Sequence, residues 1–207
     1  MGPAFCADNG SRRFPNVRWL VSPPRRVFKR SGRRMRRRSL MAPGGTPLVM
    51  TVSDLVGLVY NSQVPEAAPL VDTLVESLHL RETSWISSVA ELEGVDDKLR
   101  RTGLIVVVGG DGTILRTVRV IAPFGVPIVG VNVGRVGFIT ELEADEAVEK
   151  LPMYLDGELR VEERMMLEAS VTSDSEPKPR ITVNALNEVV VARGSAARLH
   201  DIHTSVD

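Results

Sequence analysis

The residues best suited to chemistry are five in a row, Gly109-Gly110-Asp111-Gly112-Thr113, which set a single carboxylate among glycines. They follow Leu104–Val108, an unbroken run of branched apolar residues that suits a parallel strand covered on both faces. A helix is expected next, from about Thr113 to Ile121, stopped before Pro123. Open α/β sheets bind their ligands at the carboxyl ends of the strands, where this loop falls. Gly109 and Gly110 allow the main chain to approach a ligand, and a helix start presents free N–H groups to phosphate. An acid beside phosphate is a poor anion ligand, so Asp111 fits a group that accepts a proton or organises a metal. The competing reading is a tight strand-to-helix turn with Asp111 as N-cap. A glycine cluster placed directly after a buried strand favours the chemical reading. The pattern is neither G-x-x-x-x-G-K-[ST] nor G-x-G-x-x-G, so those phosphate-binding mechanisms do not transfer.

The elements that must hold this loop alternate between strand and helix. Val56–Tyr60 reads as a buried strand, and Pro65–Leu80 as a helix with Ala67, Leu70, Val71, Leu74 and Leu78 at helical spacing. Trp85–Ser88 is a short strand candidate, and Pro127–Val131 repeats the buried-strand signature. A helix from about Glu143 to Leu151 would put Ala144, Ala147, Val148 and Leu151 on one side. This rhythm predicts an α/β domain over 54–157 with an open, mostly parallel sheet. After Asp156-Gly157 the period becomes two: Met165, Leu167, Ala169 and Val171 alternate with Met166, Glu168 and Ser170, as in a half-exposed strand. Asp174–Pro179 reads as a turn, Ile181–Ala192 as one or two strands, and the chain from Leu199 as another. Residues 158–207 are therefore expected to begin a β-rich second domain and not to complete it.

Formal charge balances over the chain, but unevenly along it. Residues 1–50 hold 12 of the 26 basic residues and one acid, Asp8, leaving 14 basic and 25 acidic residues in the remainder. With Arg33-Arg34-Met35-Arg36-Arg37-Arg38 and interruptions at Pro15, Pro23, Pro24, Pro43 and Pro47, this extension repels itself and is expected to be disordered. Its Arg-rich, acid-poor composition also suits an organelle transit peptide, and Met41 or Met50 could be the working start. The lone Cys6 cannot form an internal disulfide, and no Cys/His cluster suits structural zinc. No apolar run is long enough to span a membrane, and the expected setting is the cytoplasm.

The glycine cluster resembles the GGDGT signature shared by NAD kinases and by lipid kinases of the diacylglycerol and sphingosine type. Three further segments narrow the resemblance to NAD kinases. Residues Asn132-Val133-Gly134-Arg135-Val136-Gly137-Phe138-Ile139-Thr140 resemble their N-x-G-R-x-G-F-x-T stretch, Arg164-Met165-Met166-Leu167 their R-x-M-L strand, and Ala185-Leu186-Asn187-Glu188 their second signature. The resemblance covers about 54–207 and implies a phosphofructokinase/NAD kinase-like fold. It also implies transfer of a phosphoryl group from ATP, with Mg2+, to the 2′-hydroxyl of the adenosine ribose of NAD. In that reading Asp111 is the proton acceptor, with Gly109, Gly110, Gly112 and Thr113 beside the nucleotide. Asn187 and Glu188 bind the second part of NAD, Arg116 and Arg198 contact the ligand, and Phe138 approaches the adenine. Another divalent cation, polyphosphate as donor and NADH as acceptor stay open. NAD kinases continue past the equivalent of Asp207 with a longer β-rich region, and their sites are completed by it and by a neighbouring subunit. The resemblance thus implies a truncated chain whose full-length form is a dimer or tetramer, set against a catalytically incomplete NAD-binding remnant.

Each residue also has a plain structural reading. Asn187-Glu188 would serve as a turn, Arg116 as a solvated helix residue, Arg198 as a strand flank and Phe138 as core. His200 and His203, three apart on a strand, face opposite ways and do not share a metal. Glu141, Glu143, Asp145, Glu146 and Glu149 read as a solvated helix face. Nucleic acid is not expected as a partner of the acidic remainder. If the Arg33–Arg38 run did bind it, affinity would fall steeply with salt and vanish on deletion of residues 1–50, which a filter-binding titration at two ionic strengths would measure.

Overall fold

The fold is that of a computed structural model, which describes residues 5–6, 17–21, 55–134, 137–156, 160–173 and 176–192. In chain order these form β1 (Phe5–Cys6), β2 (Val17–Val21), β3 (Leu55–Tyr60), α1 (Ala67–Ser77), β4 (Ser84–Ser88), α2 (Asp96–Leu99) and β5 (Thr102–Val108). Next come α3 (Asp111–Ile121), a 3-10 turn at Ala122–Phe124, β6 (Ile128–Asn132), β7 (Leu142–Glu143), α4 (Ala147–Leu155), β8 (Arg160–Arg164), β9 (Leu167–Ser173) and β10 (Glu176–Ala185). Among the described residues there is no helix long and apolar enough to cross a membrane.

The main sheet has the strand order β4-β3-β5-β6-β2-β8, with β7 beside β6. Every pairing in it is parallel except β2 with β8. Alternation along β5 explains why its sequence is apolar throughout. Leu104, Val106 and Val108 pack with Val71 and Leu74 of α1 and Leu151 and Tyr154 of α4. Ile105 and Val107 pack with Ile114, Val118 and Ile121 of α3 on the opposite face. A strand buried on both sides has no polar phase to show. Strand order reverses at β3, whose neighbours are β4 and β5, so the ends of β3 and β5 flank a topological switch point.

Several elements depart from the sequence expectation for local reasons. Helix α1 stops at Ser77, because His79 takes a left-handed conformation (φ 54°). The Leu80 N–H then returns to the Val75 carbonyl at 2.9 Å and the His79 N–H to that of Glu76 at 3.3 Å, the two bonds of a Schellman close. The helix expected from Glu143 begins instead at Ala147 and runs through Pro152, since Leu142–Glu143 is drawn into the sheet beside β6. Its buried face is Ala147, Leu151 and Tyr154, and Val148 is exposed. The apolar alternation expected from Met165 is out of phase at its start: Met166 is buried, while Met165 and Leu167 are exposed. Met166 sits between β8 and β9, where the chain changes sheet and the two-residue period does not apply. Strand β10 begins at Glu176, inside the expected turn, and its pairing with β9 slips between Glu176 and Ile181. Pro177 and Pro179, which cannot donate to a ladder, lie in that slip.

The extension expected to be disordered supplies two strands. Val17–Val21 lies between β6 and β8, and Phe5–Cys6 pairs with β9. Val17, Trp19 and Val21 are strand-forming residue types at a period of two, a pattern hidden by the arginines around it. The second sheet, ordered β1-β9-β10, starts at Leu167, because β8 still belongs to the first.

Leu58, fully buried in the interior strand β3, is a test of this core. Leu58→Ala is expected to lower the unfolding free energy by about 2–5 kcal/mol, read as a lower urea midpoint with the slope unchanged.

Candidate active site

The glycine cluster leaves the carboxyl end of β5 and turns at once into α3. Gly109 is buried in the turn, and its N–H donates to the Val131 carbonyl of β6 at 2.9 Å. A Cβ there would lie 2.5 Å from Thr113 Oγ1, so only glycine allows the first turn of α3 to fold back this closely. Gly110 is the N-cap, with extended backbone (φ −90°, ψ −175°), and its carbonyl accepts from Thr113 N–H at 2.9 Å and Ile114 N–H at 3.3 Å. The helix therefore starts at Asp111, two residues before the expected Thr113. What its first turn can offer a ligand are the amides of Asp111 and Gly112, and Gly112 borders open space.

Asp111 does not cap its own helix. Its Oδ2 accepts the Phe138 N–H at 3.0 Å and its Oδ1 the Ile139 N–H at 3.2 Å, across 27 and 28 residues of sequence. The carboxylate is thus fixed by the turn that follows β6. Gly137 makes the approach possible, since a Cβ on it would collide with Asp111 Oδ1. Neighbouring side chains then go opposite ways. Ile139 packs against the core beneath α3, and Phe138 stands 98% exposed, so the reading of Phe138 as core is set aside.

Asp111, Phe138 and Ile139 line a cleft of about 620 Å3 together with Leu115, Glu162, Arg164, Met165, Leu186 and Asn187. That volume suits a small-molecule ligand. Leu115, Leu186 and Asn187 continue into a second groove of about 720 Å3, which Arg119 and Glu188 also line. The cleft carries both signs of charge, Asp111 and Glu162 against Arg164, with Arg164 Nε 3.5 Å from Glu162 Oε1. Among the described residues no group of three or more His, Cys, Asp or Glu is arranged to hold a metal.

The structure brings together Asp111, Phe138 and Asn187, with Glu188 in the adjoining groove. Gly109 and Thr113 shape the turn and are buried, and Gly110 and Gly112 sit at the helix start. Arg116 is exposed on α3 and lines neither the cleft nor the groove. Arg198, His200 and His203, and the strand expected from Leu199, lie outside the described residues. Sequence reasoning did not single out Leu115, Ile139, Glu162 or Leu186. The one available signal was position: Leu115 lies four residues after Asp111, on the same side of the helix.

Asn132, at the end of β6, is 1% exposed and donates from Nδ2 to Glu143 Oε2 at 2.9 Å. Its Oδ1 is buried and has no hydrogen-bond partner among the described residues. Leaving such an atom unpaired costs about 1–3 kcal/mol.

Residues 91–159 match the model of the ATP-NAD kinase N-terminal domain. The chain is 41% identical over 159 residues to an NAD kinase of Heliobacterium modesticaldum, covering 73% of this chain and 56% of that one. It is 35% identical over 160 residues to an NAD kinase of Natranaerobius thermophilus, covering 73% and 55%. The chain therefore spans about half the length of these curated relatives. A crystal structure of yeast NADH kinase complexed with NADH shares the fold, with a TM-score of 0.55 at 17% identity over 72% of this chain and 52% of that one.

The fixation of Asp111 is testable without any ligand. Gly137→Ala is expected to break both amide contacts, seen as upfield shifts of the Phe138 and Ile139 amide protons in an 1H–15N spectrum, while strand β5 signals stay in place.

Proposed function

The chain belongs to the NAD kinase family, and on that footing we propose that it transfers the terminal phosphoryl group of ATP to the 2′-hydroxyl of the adenosine ribose of NAD, giving NADP. The observation that carries this reading is the Asp111 carboxylate, held at a helix start and open to a cleft it shares with Phe138 and Asn187. A ribose hydroxyl is a weak nucleophile at neutral pH and gains from a positioned base. A carboxylate has about four lone-pair sites, of which the two amides take two, so Asp111 retains acceptors for the hydroxyl proton. The proton moves to Asp111 as the ribose oxygen bonds to phosphorus and ADP leaves.

The remaining barrier is one of alignment and charge. The free amides of Asp111 and Gly112 suit a phosphate, the exposed Phe138 ring suits stacking on a purine, and Asn187 and Glu188 suit polar groups of the dinucleotide. The divalent cation, Mg2+ in this reading, enters with the nucleotide as part of the substrate. Arg116 and Arg198 remain proposed ligand contacts. We further propose a cytoplasmic setting and a homo-oligomeric state.

The test is NADP formation from NAD and ATP with magnesium. Asp111→Asn keeps the size of the side chain and removes the base, so kcat is expected to fall by roughly 10²–10⁴-fold. Equal turnover in that variant would remove Asp111 from the mechanism. Substituting polyphosphate for ATP and NADH for NAD in the same assay fixes the donor and acceptor.

A further inference from the structure

We infer that Asn132 and Glu143 form a clasp that sets the orientation of the Asp111 carboxylate, making both positioning residues of the reaction. The inference rests on Asp111 being the base of the proposed reaction.

The turn that holds Asp111 leaves β6 after Asn132 and returns at β7. Its return is anchored by little backbone structure. Strand β7 is two residues long and pairs with β6 only at Val131↔Leu142 and Asn132↔Glu143, with one further bond from Glu141 N–H to the Gly130 carbonyl at 3.0 Å. The Asn132 side chain adds a link at the closing pair itself, a charge-assisted bond of 2.9 Å to Glu143. Glu143 is held from its other side, where its N–H donates to Glu146 Oε1 at 3.3 Å at the entry to α4. Only Thr140, Glu141 and Leu142 stand between Ile139 and Glu143, so a shift at Glu143 is passed to the amides of Phe138 and Ile139.

The Oδ1 of Asn132, which has no partner among the described residues, sharpens this assignment. An apolar side chain would fill the same buried place without an unpaired oxygen. The contribution that sets asparagine apart here is the Nδ2 donor, and Glu143 receives it. Its amide orientation follows from that partner, because the flipped amide would set two acceptors against each other.

The clasp is tested on the full chain by amide hydrogen exchange at Phe138 and Ile139, with turnover measured beside it. Glu143→Ala is expected to accelerate both exchange rates by about tenfold, the worth of one hydrogen bond to a charged group, with Val106 and Val107 in β5 unchanged. It should lower kcat by about 10–100-fold with KM for NAD within about threefold of the parent, as misalignment does. Glu143→Gln keeps an acceptor for Asn132 and should restore most of both. Asn132→Leu should reproduce Glu143→Ala if it folds; the surface position of Glu143 keeps the test intact if it does not. Unchanged exchange at Phe138 and Ile139 in Glu143→Ala would overturn the clasp, whatever the turnover. Faster exchange with unchanged turnover would uphold the clasp and count against Asp111 as the base.

Discussion

Two amide hydrogen bonds to one carboxylate, from Phe138 and Ile139 to Asp111, join two segments that lie 27 and 28 residues apart in sequence. They tie the first turn of α3 to the turn after β6, and so link the segments leaving two adjacent parallel strands. Adjacent parallel strands end side by side, and Val108 of β5 is paired with Val131 of β6. The two turns are therefore neighbours by construction. The carboxylate adds a fixed distance between them.

That constraint explains the glycines better than flexibility does. Gly109 admits Thr113 against the strand end, and Gly137 admits the carboxylate against the return turn. Both are places where a methyl group would occupy space already filled by a polar atom. The strands beneath are rigid for a different reason. Strand β5 is buried on both faces, so displacing its end disturbs the packing of α1 and α4 on one side and α3 on the other. The base of the proposed reaction is thus mounted directly after a strand buried on both faces.

Features carried by local pattern were legible in the sequence. The run Leu104–Val108, the glycine cluster after it and the helix to Ile121 all emerge within two residues of their places, because burial on both faces and a helix start leave strong local marks. Features that depend on distant partners were not. The helix α4 passes through Pro152, because burial of Tyr154 and Leu151 outweighs the missing N–H. The Arg-rich extension conceals Val17–Val21, whose strand character is completed only by the edges of β6 and β8. The bonds from residues 138 and 139 to Asp111 have no local signature, since the adjacency of β5 and β6 decides them. Asp111 could be found from its neighbours; the contacts that hold it could not.

The cleft also separates two tasks in space. The carboxylate and its amide donors belong to the main sheet, whereas Met165, Leu186 and Asn187 come from segments flanking the second sheet. In the proposed reaction the first group handles the proton and the second recognises the acceptor. Such a division has a physical advantage, because the two demands on a binding wall conflict. A base must hold its angle to a fraction of an ångström, which calls for packed strands and paired amides. A recognition surface must match an extended dinucleotide, which calls for exposed side chains along a groove. Phe138 stands at the boundary: its amide serves the fixed side by holding Asp111, and its exposed ring serves the other. In the proposed reaction one residue thereby couples acceptor binding, through its ring, to the orientation of the base, through its backbone N–H.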